Sequence, residues 1–418
     1  MKSLTFFLLF CLSFVAAQAQ LLPLDSCISW AYSNQKFTEE ATILQDRREI
    51  QVENENKGNL PGLALDGSAT IQNENISIPI GIPGIEAPDV PINFNRLLVD
   101  FSQTIYNGGL AAHKKILREL EYKDRMYDLD IRKSRIKASV TSVYSGIVLT
   151  RTHRAILEKQ NNTLQAKLKN VEGAVSSGVV LKSNFLALKA EQLKVDQEIT
   201  ENRHQQAKLR RQLRLLTGRE IPSGSVFRIP DVDIDSSGVE SRPEFLQLEN
   251  TVNMLDARKK LGLVARSPVL GIFGSAGFGL PGYDIFNNSV RPMVFAGIQL
   301  KWKIVDWDKV KNENQLLSLN QSLLGYQQHR LNVQLSSNLE NQLEEIRKIR
   351  QLIVQDKEIL TLRREVAQQL DAQLRNGTAT SADYIRELNA AALAELTGEI
   401  HKIQLKLAKL NYAIIQGN

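Results

Sequence analysis

Few residues of this 418-residue sequence have the types and spacing that catalysis or ligand binding requires. Residues Gly277–Gly282 match the G-x-G-x-x-G pattern of dinucleotide sites, but Pro281 and the strand pattern that follows exclude the helix such a site needs. The five histidines lie in helical patterns without metal-ligand spacing: His113, His153, His204, His329 and His401. We therefore predict no catalytic residue, no metal site, no cofactor and no enzymatic activity.

The most distinctive polar residues follow two glycines. Asn184 lies six positions after Gly178, and Asp383 lies six positions after Gly377. Glycine is typical of the left-handed residue that ends a helix. Thr380-x-x-Asp383 has the spacing of a capping box, which begins a helix. Each motif therefore predicts a helix end, a tight turn and a second helix, with a carboxylate near the second turn.

The chain carries a formal net charge of +6, and four basic residues lie close together, at Lys208, Arg210, Arg211 and Arg214. Segments that bind single-stranded nucleic acid combine such charges with aromatic side chains on which bases stack. This segment has no interleaved aromatic residue. We expect a solvated helix face and no nucleic-acid partner.

The first 19 residues predict a secretory signal peptide. Lys2 precedes the apolar run Leu4–Ala17, and Ala17-Gln18-Ala19 is a typical cleavage site. The run is shorter than the roughly 20 residues that span a bilayer as a helix. Export removes Cys11 and leaves Cys27 as the only cysteine, so no intrachain disulfide can form. We favour a plain thiol at Cys27, although the sequence does not determine whether it is modified.

The rest of the chain is a tandem duplication. Segments related by an offset of 199 residues are 104–109 with 303–308, Gly178 with Gly377, Asn184 with Asp383, and Gly218 with Gly417. Upstream, Pro61 with Gly67-Ser68-Ala69 recurs as Pro268 with Gly274-Ser275-Ala276. The predicted organisation is a signal peptide at 1–19, a first repeat at 20–218, a linker at 219–242 and a second repeat at 243–418.

Each repeat contains two amphipathic strands, predicted at 63–73 and 96–106, then at 269–280 and 293–304. In the first strand Leu63, Leu65 and Ile71 alternate with polar residues, which gives one apolar and one polar face. A soluble sandwich would show the same alternation, but four strands make one sheet with no second sheet to cover it. Strands of about 9–11 residues suit a transmembrane β-barrel. Because a barrel needs about eight strands, several chains must pool theirs.

The remaining sequence predicts long helices. None of the 12 prolines falls within 92–221 or 293–418, and proline interrupts helix interiors. The predicted helices are 24–58, 108–176 and 182–216 in the first repeat, and 243–266, 307–375 and 382–416 in the second. Apolar residues such as Leu157, Leu164 and Leu168 recur at 3- and 4-residue steps, which indicates a narrow coiled-coil seam. We expect a tube of paired helices capped by a small sheet.

These features together resemble the TolC-type outer-membrane efflux proteins over essentially the whole mature chain. The resemblance is carried by Leu24-x-x-Cys27-Ile28-x-x-Ala31, by the two Pro and Gly-Ser-Ala strand starts, by Ile105-Tyr106-Asn107-Gly108-Gly109, and by the two Gly-x5-Asn/Asp turns. It implies a mainly α protein with a small transmembrane β part. Three chains would form one 12-stranded β-barrel in the bacterial outer membrane, continued by a helical tunnel in the periplasm.

The resemblance also implies a function and partners. It describes a homotrimeric outer-membrane channel of a tripartite efflux or type I secretion system. Substrates would leave passively after delivery by an inner-membrane pump and a periplasmic adaptor, or membrane fusion protein. Two other classes stay open: a periplasmic adaptor and a structural coiled-coil envelope protein. The transported substrate and the pump class cannot be deduced from the sequence.

Site residues follow from the same resemblance. Asp383 matches a family aspartate that narrows the tunnel tip and favours cations, with three copies near the axis. A second family aspartate is Arg386 here, and the first-repeat equivalent of Asp383 is Asn184, so cation selectivity is not determined. The turns that would receive adaptor hairpins are predicted at Ser177 and Gly178 in the first repeat, and at Asn376 and Gly377 in the second.

Overall fold

The computed structural model describes residues 21–74, 90–178, 180–222, 224–234, 242–376 and 378–417. The predicted signal peptide and Gly377 lie outside these residues. The helices are α1 (Leu24–Asn34), α2 (Phe37–Lys57), α3 (Leu110–Ser176), α4 (Lys182–Thr217), α5 (Pro243–Val264), α6 (Lys309–Arg375) and α7 (Ser381–Gln416). The strands are β1 (Leu21–Leu22), β2 (Gly62–Ile71), β3 (Asn93–Tyr106), β4 (Val226–Phe227), β5 (Val269–Leu280) and β6 (Arg291–Lys301). The mainly helical fold class with a few strands is therefore confirmed.

The described residues form two compact units, which we treat separately. The helical unit is drawn from Met1–Ala41, Asp128–Phe245 and His329–Asn418. The sheet unit is drawn from Thr42–Tyr127 and Leu246–Gln328. None of the described helices combines the length and the apolarity needed to cross a bilayer.

The helical unit is held together along the apolar seams. Leu157, Leu164 and Leu168 are buried on α3, and they pack with Leu188 and Val195 of α4. Helices α3 and α6 each contain 67 residues, while α4 and α7 each contain 36. Apolar residues at every third or fourth position lie on one side of a helix only. Most of each helix surface therefore stays polar.

The helix predicted at 24–58 is wrong as a single element, because the chain breaks between α1 and α2. Lys36 adopts a left-handed conformation with φ of 55°. The side-chain amide of Asn34, two residues earlier, donates to the carbonyl oxygens of Leu215 and Leu216, both at 3.1 Å. These carbonyls belong to the last turn of α4, where backbone acceptors lack helical partners. The end of α1 thus lies against the end of α4 and supplies donors to it.

The segment predicted as a linker at 219–242 contributes to the core where the structure describes it. Strand β4 pairs in parallel with β1, and Phe227 and Ile229 are buried. The buried Tyr144 hydroxyl on α3 donates to the Leu22 carbonyl at 2.6 Å, and it accepts from the Arg228 backbone N–H at 2.9 Å. The described part of this segment is thus packed against α3.

The sheet unit contains an antiparallel four-stranded sheet in the order β2-β3-β5-β6. One face carries aliphatic side chains along all four strands, and it is uncovered: Leu63 and Ile298 are each 74% exposed. The other face carries polar residues, including Asp100, whose carboxylate accepts a hydrogen bond from the Ser275 hydroxyl. Among the described residues, β2 and β6 are each paired on one side only, so the sheet has two open edges.

Both strand-to-helix junctions use two successive left-handed residues. In the first repeat these are Gly108 and Gly109, with φ of 69° and 79°. In the second they are Trp307 and Asp308, with φ of 54° and 60°, although such angles disfavour residues that have a Cβ. Gly108 also lacks room for a side chain, because a Cβ there would lie 2.6 Å from Ser267. The same backbone path is therefore built from different residues.

Candidate functional site

The residues predicted at the second turn form a compact polar group at the start of α7. Thr380 is the N-cap, and its hydroxyl oxygen accepts from the Asp383 backbone N–H at 3.2 Å. The same hydroxyl donates to an Asp383 carboxylate oxygen at 2.6 Å. Arg386 donates to the other carboxylate oxygen at 2.9 Å. The Asp383 carboxylate, predicted at the tunnel tip, therefore completes the helix cap with Thr380 and forms an ion pair with Arg386.

These contacts determine the charge of Asp383. The hydrogen bond from the Thr380 side chain, with the nearby Arg386 guanidinium, lowers the pKa of this carboxyl below its ordinary value. Asp383 is therefore ionised throughout the neutral range. Its side chain is 38% exposed and that of Arg386 is 74% exposed, so the ion pair faces solvent and is weak. A cation approaching Asp383 meets a charge that its own helix partly neutralises.

The first turn has the same outline without the acidic group. Gly178 has φ of 74° and open space around it, so glycine is needed there for its backbone angle. The Val180 N–H bonds to the Ala174 carbonyl at 3.2 Å, and the Ser177 hydroxyl donates to the Gly173 carbonyl at 3.1 Å. Helix α4 begins after Leu181, whose side chain cannot cap it. The predicted docking residues Ser177 and Gly178 thus form a hydrogen-bonded helix end.

At the second turn only part of the predicted docking group is described. The Asn376 N–H bonds to the Ala372 carbonyl at 3.2 Å, and the Thr378 N–H bonds to the Gln373 carbonyl at 2.9 Å. Gly377 lies between these two residues and outside the described part. In the first repeat the equivalent of Asp383 is Asn184, half-buried, whose backbone N–H bonds to the Leu181 carbonyl at 3.0 Å.

Next to the turns, a shared hydrophobic cluster joins the two helical hairpins. Leu164, Leu168 and Val171 of α3 pack in one cluster with Leu374 of α6 and Tyr384 of α7. Side chains from both repeats therefore exclude water together. The two hairpins are packed against each other near their turns, so separating them would expose apolar surface.

A buried charge pair lies beside this cluster, and it was not among the residues predicted from the sequence. The Lys167 ammonium on α3 bonds to the Asp371 carboxylate on α6. The Lys167 side chain is 7% exposed and the Asp371 side chain 30% exposed. Tyr384 packs over the same ammonium, with 5.0 Å between the nitrogen and the ring centre, and Arg375 lies 3.3 Å from Asp371. One seam position of α3 thus carries a charge that the other hairpin neutralises.

Further polar contacts continue this link along the hairpins. Glu395 of α7 accepts from Lys159 of α3 at 2.8 Å and pairs with Arg364 of α6 at 3.2 Å. Burial alone would raise the pKa of Glu395, but the two basic partners outweigh it and lower that pKa. Asn389 of α7 donates to Glu191 of α4 at 2.8 Å. Four helices are therefore connected by charges as well as by apolar packing.

One signal in the sequence could have identified Lys167. It lies three residues after Leu164 and four before Val171, which makes it a charged residue on an otherwise apolar seam. A charge in that position requires an opposite charge from another helix. Its partner could not be named, because the sequence does not reveal which face of α6 lies opposite. In the described residues no group of three or more His, Cys, Asp or Glu side chains is arranged to hold a metal ion.

Comparisons with known proteins identify the fold. No family model matches the sequence, and no curated protein matches it at a significant level. Solved structures do match, each over 94% of this chain. CusC, studied during folding and transmembrane channel formation, aligns over 91% of its chain with a TM-score of 0.75 and 12% identity.

Two further neighbours are similar. The outer membrane channel CmeC of Campylobacter jejuni aligns over 86% of its chain, with a TM-score of 0.69 and 15% identity. The open state of the outer membrane channel MtrE of Neisseria gonorrhoeae aligns over 88% of its chain, with a TM-score of 0.69 and 14% identity. The resemblance to TolC-type proteins is therefore confirmed at the level of the fold, which this chain shares with channel proteins.

Proposed function

We propose that this protein is the outer-membrane channel of a tripartite efflux or type I secretion system. Three copies form one 12-stranded β-barrel in the outer membrane, and their helices continue it as a periplasmic tunnel. An inner-membrane pump and a periplasmic adaptor deliver the substrate, which leaves passively. The adaptor docks at the turns that contain Ser177, Gly178, Asn376 and Gly377.

The observation that carries this proposal is the uncovered sheet. A soluble protein rarely leaves a continuous aliphatic face open to water, and such a face indicates contact with lipid or with a partner. The opposite face carries polar residues such as Asp100, Ser275 and Gln299, which suit the lumen side of a transmembrane barrel. The edges at β2 and β6 need further strands, because unpaired backbone groups are costly in a membrane. Three copies supply twelve strands, above the roughly eight that a barrel needs.

Within the helical unit, the contacts near the turns suit a closed resting state. The Lys167–Asp371 pair and the Glu395 contacts hold the two hairpins of one chain together beside the turns. Asp383 would lie at the tunnel tip, where three carboxylates near one axis repel one another. Arg386 offsets part of that repulsion. Adaptor binding at the turns would separate the hairpins and widen the tip.

Two measurements on the purified full chain test the proposal: single-channel conductance in a planar bilayer, and the mass of the detergent-solubilised protein by light scattering with the detergent subtracted. The channel proposal requires discrete conductance steps and the mass of three chains. A water-soluble monomer without conductance would refute it and favour an adaptor. An elongated oligomer without conductance would favour a structural coiled-coil protein.

The tip is tested with two opposite substitutions. Asp383→Ala removes the carboxylate, so we expect a higher resting conductance or weaker block by divalent cations. Arg386→Gln leaves the carboxylate without its partner, so we expect stronger cation selectivity and stronger divalent block. Reversal potentials in asymmetric KCl report the selectivity. If both variants match the wild type, Asp383 and Arg386 only cap α7.

A further inference from the structure

An arginine-lined cavity of about 330 Å³ lies in the sheet unit, between α2, α3 and α5. Five guanidinium groups line it, from Arg47 and Arg48 on α2, Arg118 and Arg125 on α3, and Arg258 on α5. Two carboxylates, those of Glu121 and Asp124, line the same cavity. The walls therefore carry an excess of positive charge, concentrated where three helices meet.

Not all of these arginines are neutralised by a carboxylate among the described residues. Arg118 is neutralised, because it forms ion pairs with Glu55 at 3.1 Å and with Glu121 at 3.0 Å. In the described part of the chain, Arg47, Arg125 and Arg258 make no ion pair within 4.0 Å. A structural network would pair each arginine with a carboxylate. Here the surplus guanidinium groups share one cavity instead.

Arg48 gives an independent indication. Its Nε is buried and has no hydrogen-bond partner among the described residues, and the nearest carboxylate oxygen, on Glu119, is 3.6 Å away. Its guanidinium lies over the Tyr122 ring, 5.6 Å from the centre, which restricts its orientation. Buried polar groups are nearly always bonded, so Arg48 is one more guanidinium of the cavity wall whose donors the described residues do not fully satisfy.

From these observations we infer that the cavity binds an anion carrying a phosphate group. A phosphate offers several charged oxygens to more than one arginine fork, and arginine recognises this geometry bidentately. The volume lies at the low end of the range for small-molecule sites, which fits a single phosphorylated group rather than a polymer. The anion is either a soluble phosphate compound or an anionic lipid head group. This inference does not depend on the channel function.

The test compares two charge-matched double variants of the full chain purified in detergent. Arg47→Gln with Arg125→Gln removes two unpaired guanidinium groups from the cavity. Arg330→Gln with Arg350→Gln removes the same charge from exposed positions on α6. Calorimetric titration with inorganic pyrophosphate at low salt measures binding to each. If the anion is a soluble phosphate compound, we expect pyrophosphate to bind about ten- to hundredfold more weakly to the cavity variant only. A hydrogen bond to a charged group contributes roughly that factor to affinity.

A second arm addresses a lipid source. Native mass spectrometry after exchange into phosphatidylglycerol or phosphatidylcholine counts the lipids that stay bound. If the cavity binds a lipid head group, the wild type and the α6 variant should retain phosphatidylglycerol, and the cavity variant should lose it. All three proteins should then bind pyrophosphate weakly. The inference is overturned if the wild type retains neither ligand, as it would if a neighbouring subunit's carboxylate filled the cavity. It is equally overturned if both double variants behave alike.

Discussion

The Lys167–Asp371 pair leads to a prediction that depends on which partner is removed. Lys167 is 7% exposed and Asp371 is 30% exposed, so the lysine has lost almost all its water and the aspartate has not. Asp371→Ala leaves an ammonium buried without a carboxylate. Lys167→Met leaves Asp371 beside Arg375, at 3.3 Å, with solvent still available. The two substitutions should therefore differ in cost, although they break the same bond.

The magnitude follows from the same burial. Breaking a fully buried pair by removing one partner costs about 3–5 kcal/mol. The Tyr384 ring and the partial exposure of Asp371 reduce this, so we expect about 2–3 kcal/mol for Asp371→Ala. For Lys167→Met we expect about 1 kcal/mol or less, since methionine preserves the apolar stem. These values correspond to roughly 30- to 140-fold and to about fivefold or less in a local opening equilibrium.

The assay is hydrogen–deuterium exchange with mass spectrometry on the solubilised protein, following peptides that cover 160–175 and 365–385. Glu344→Ala is the control, because it breaks an exposed pair with Arg347 on α6, for which we expect a change of about twofold. Asp371→Asn keeps an acceptor for Lys167, so we expect an intermediate effect. The reasoning is refuted if Lys167→Met accelerates exchange as much as Asp371→Ala, or if neither exceeds the control.

Three further predictions concern the sheet, the core and the acid response. Ile298→Arg places a charge on the uncovered aliphatic face and should reduce membrane assembly, because an arginine near the bilayer centre costs about 2–4 kcal/mol. Gln299→Arg places the same charge on the other face and should not reduce assembly. The trimer yield from outer-membrane fractions measures both effects. Burial raises the pKa of Cys27 to about 11, so the native thiol should resist maleimide at pH 8 and react after denaturation. Because the pKa of Glu395 is lowered, its stabilising contacts are complete above the ordinary value of 4.5 and are lost as the pH falls through the lowered value. Resting conductance should therefore stay constant down to pH 5 and rise in stronger acid. The Glu395→Gln variant should lack this response.

Local rules account for the elements that the sequence predicted well. The seam residues on α3 and the proline-free runs predicted helices at 108–176 and 307–375, and the observed helices are Leu110–Ser176 and Lys309–Arg375. Thr380 and Asp383 predicted a helix start, and the cap is present. These features depend on residues three or four positions apart, which the sequence displays directly.

Contacts between distant residues account for the elements that it missed. Nothing near Lys36 in the sequence predicts a break, whereas the structure shows Asn34, at the end of α1, bonded to α4 carbonyls about 180 residues away. The packing of Phe227 depends in the same way on Tyr144. At the second strand-to-helix junction, Trp307 and Asp308 adopt angles that neither residue prefers. Tertiary packing overrides local preference at all these points.

The sequence by itself predicted a repeated unit from its internal similarity. It determined the helix seams, the amphipathic strands and the cap at Asp383, because these depend on residues a few positions apart. Only the tertiary structure decided which charges meet. Lys167 pairs with Asp371, Glu395 joins two basic partners, and five arginines converge on one cavity. The physical reason is that a buried charge is stabilised by whichever opposite charge the fold brings within a few ångströms, and that distance depends on how helices are rotated and aligned against one another.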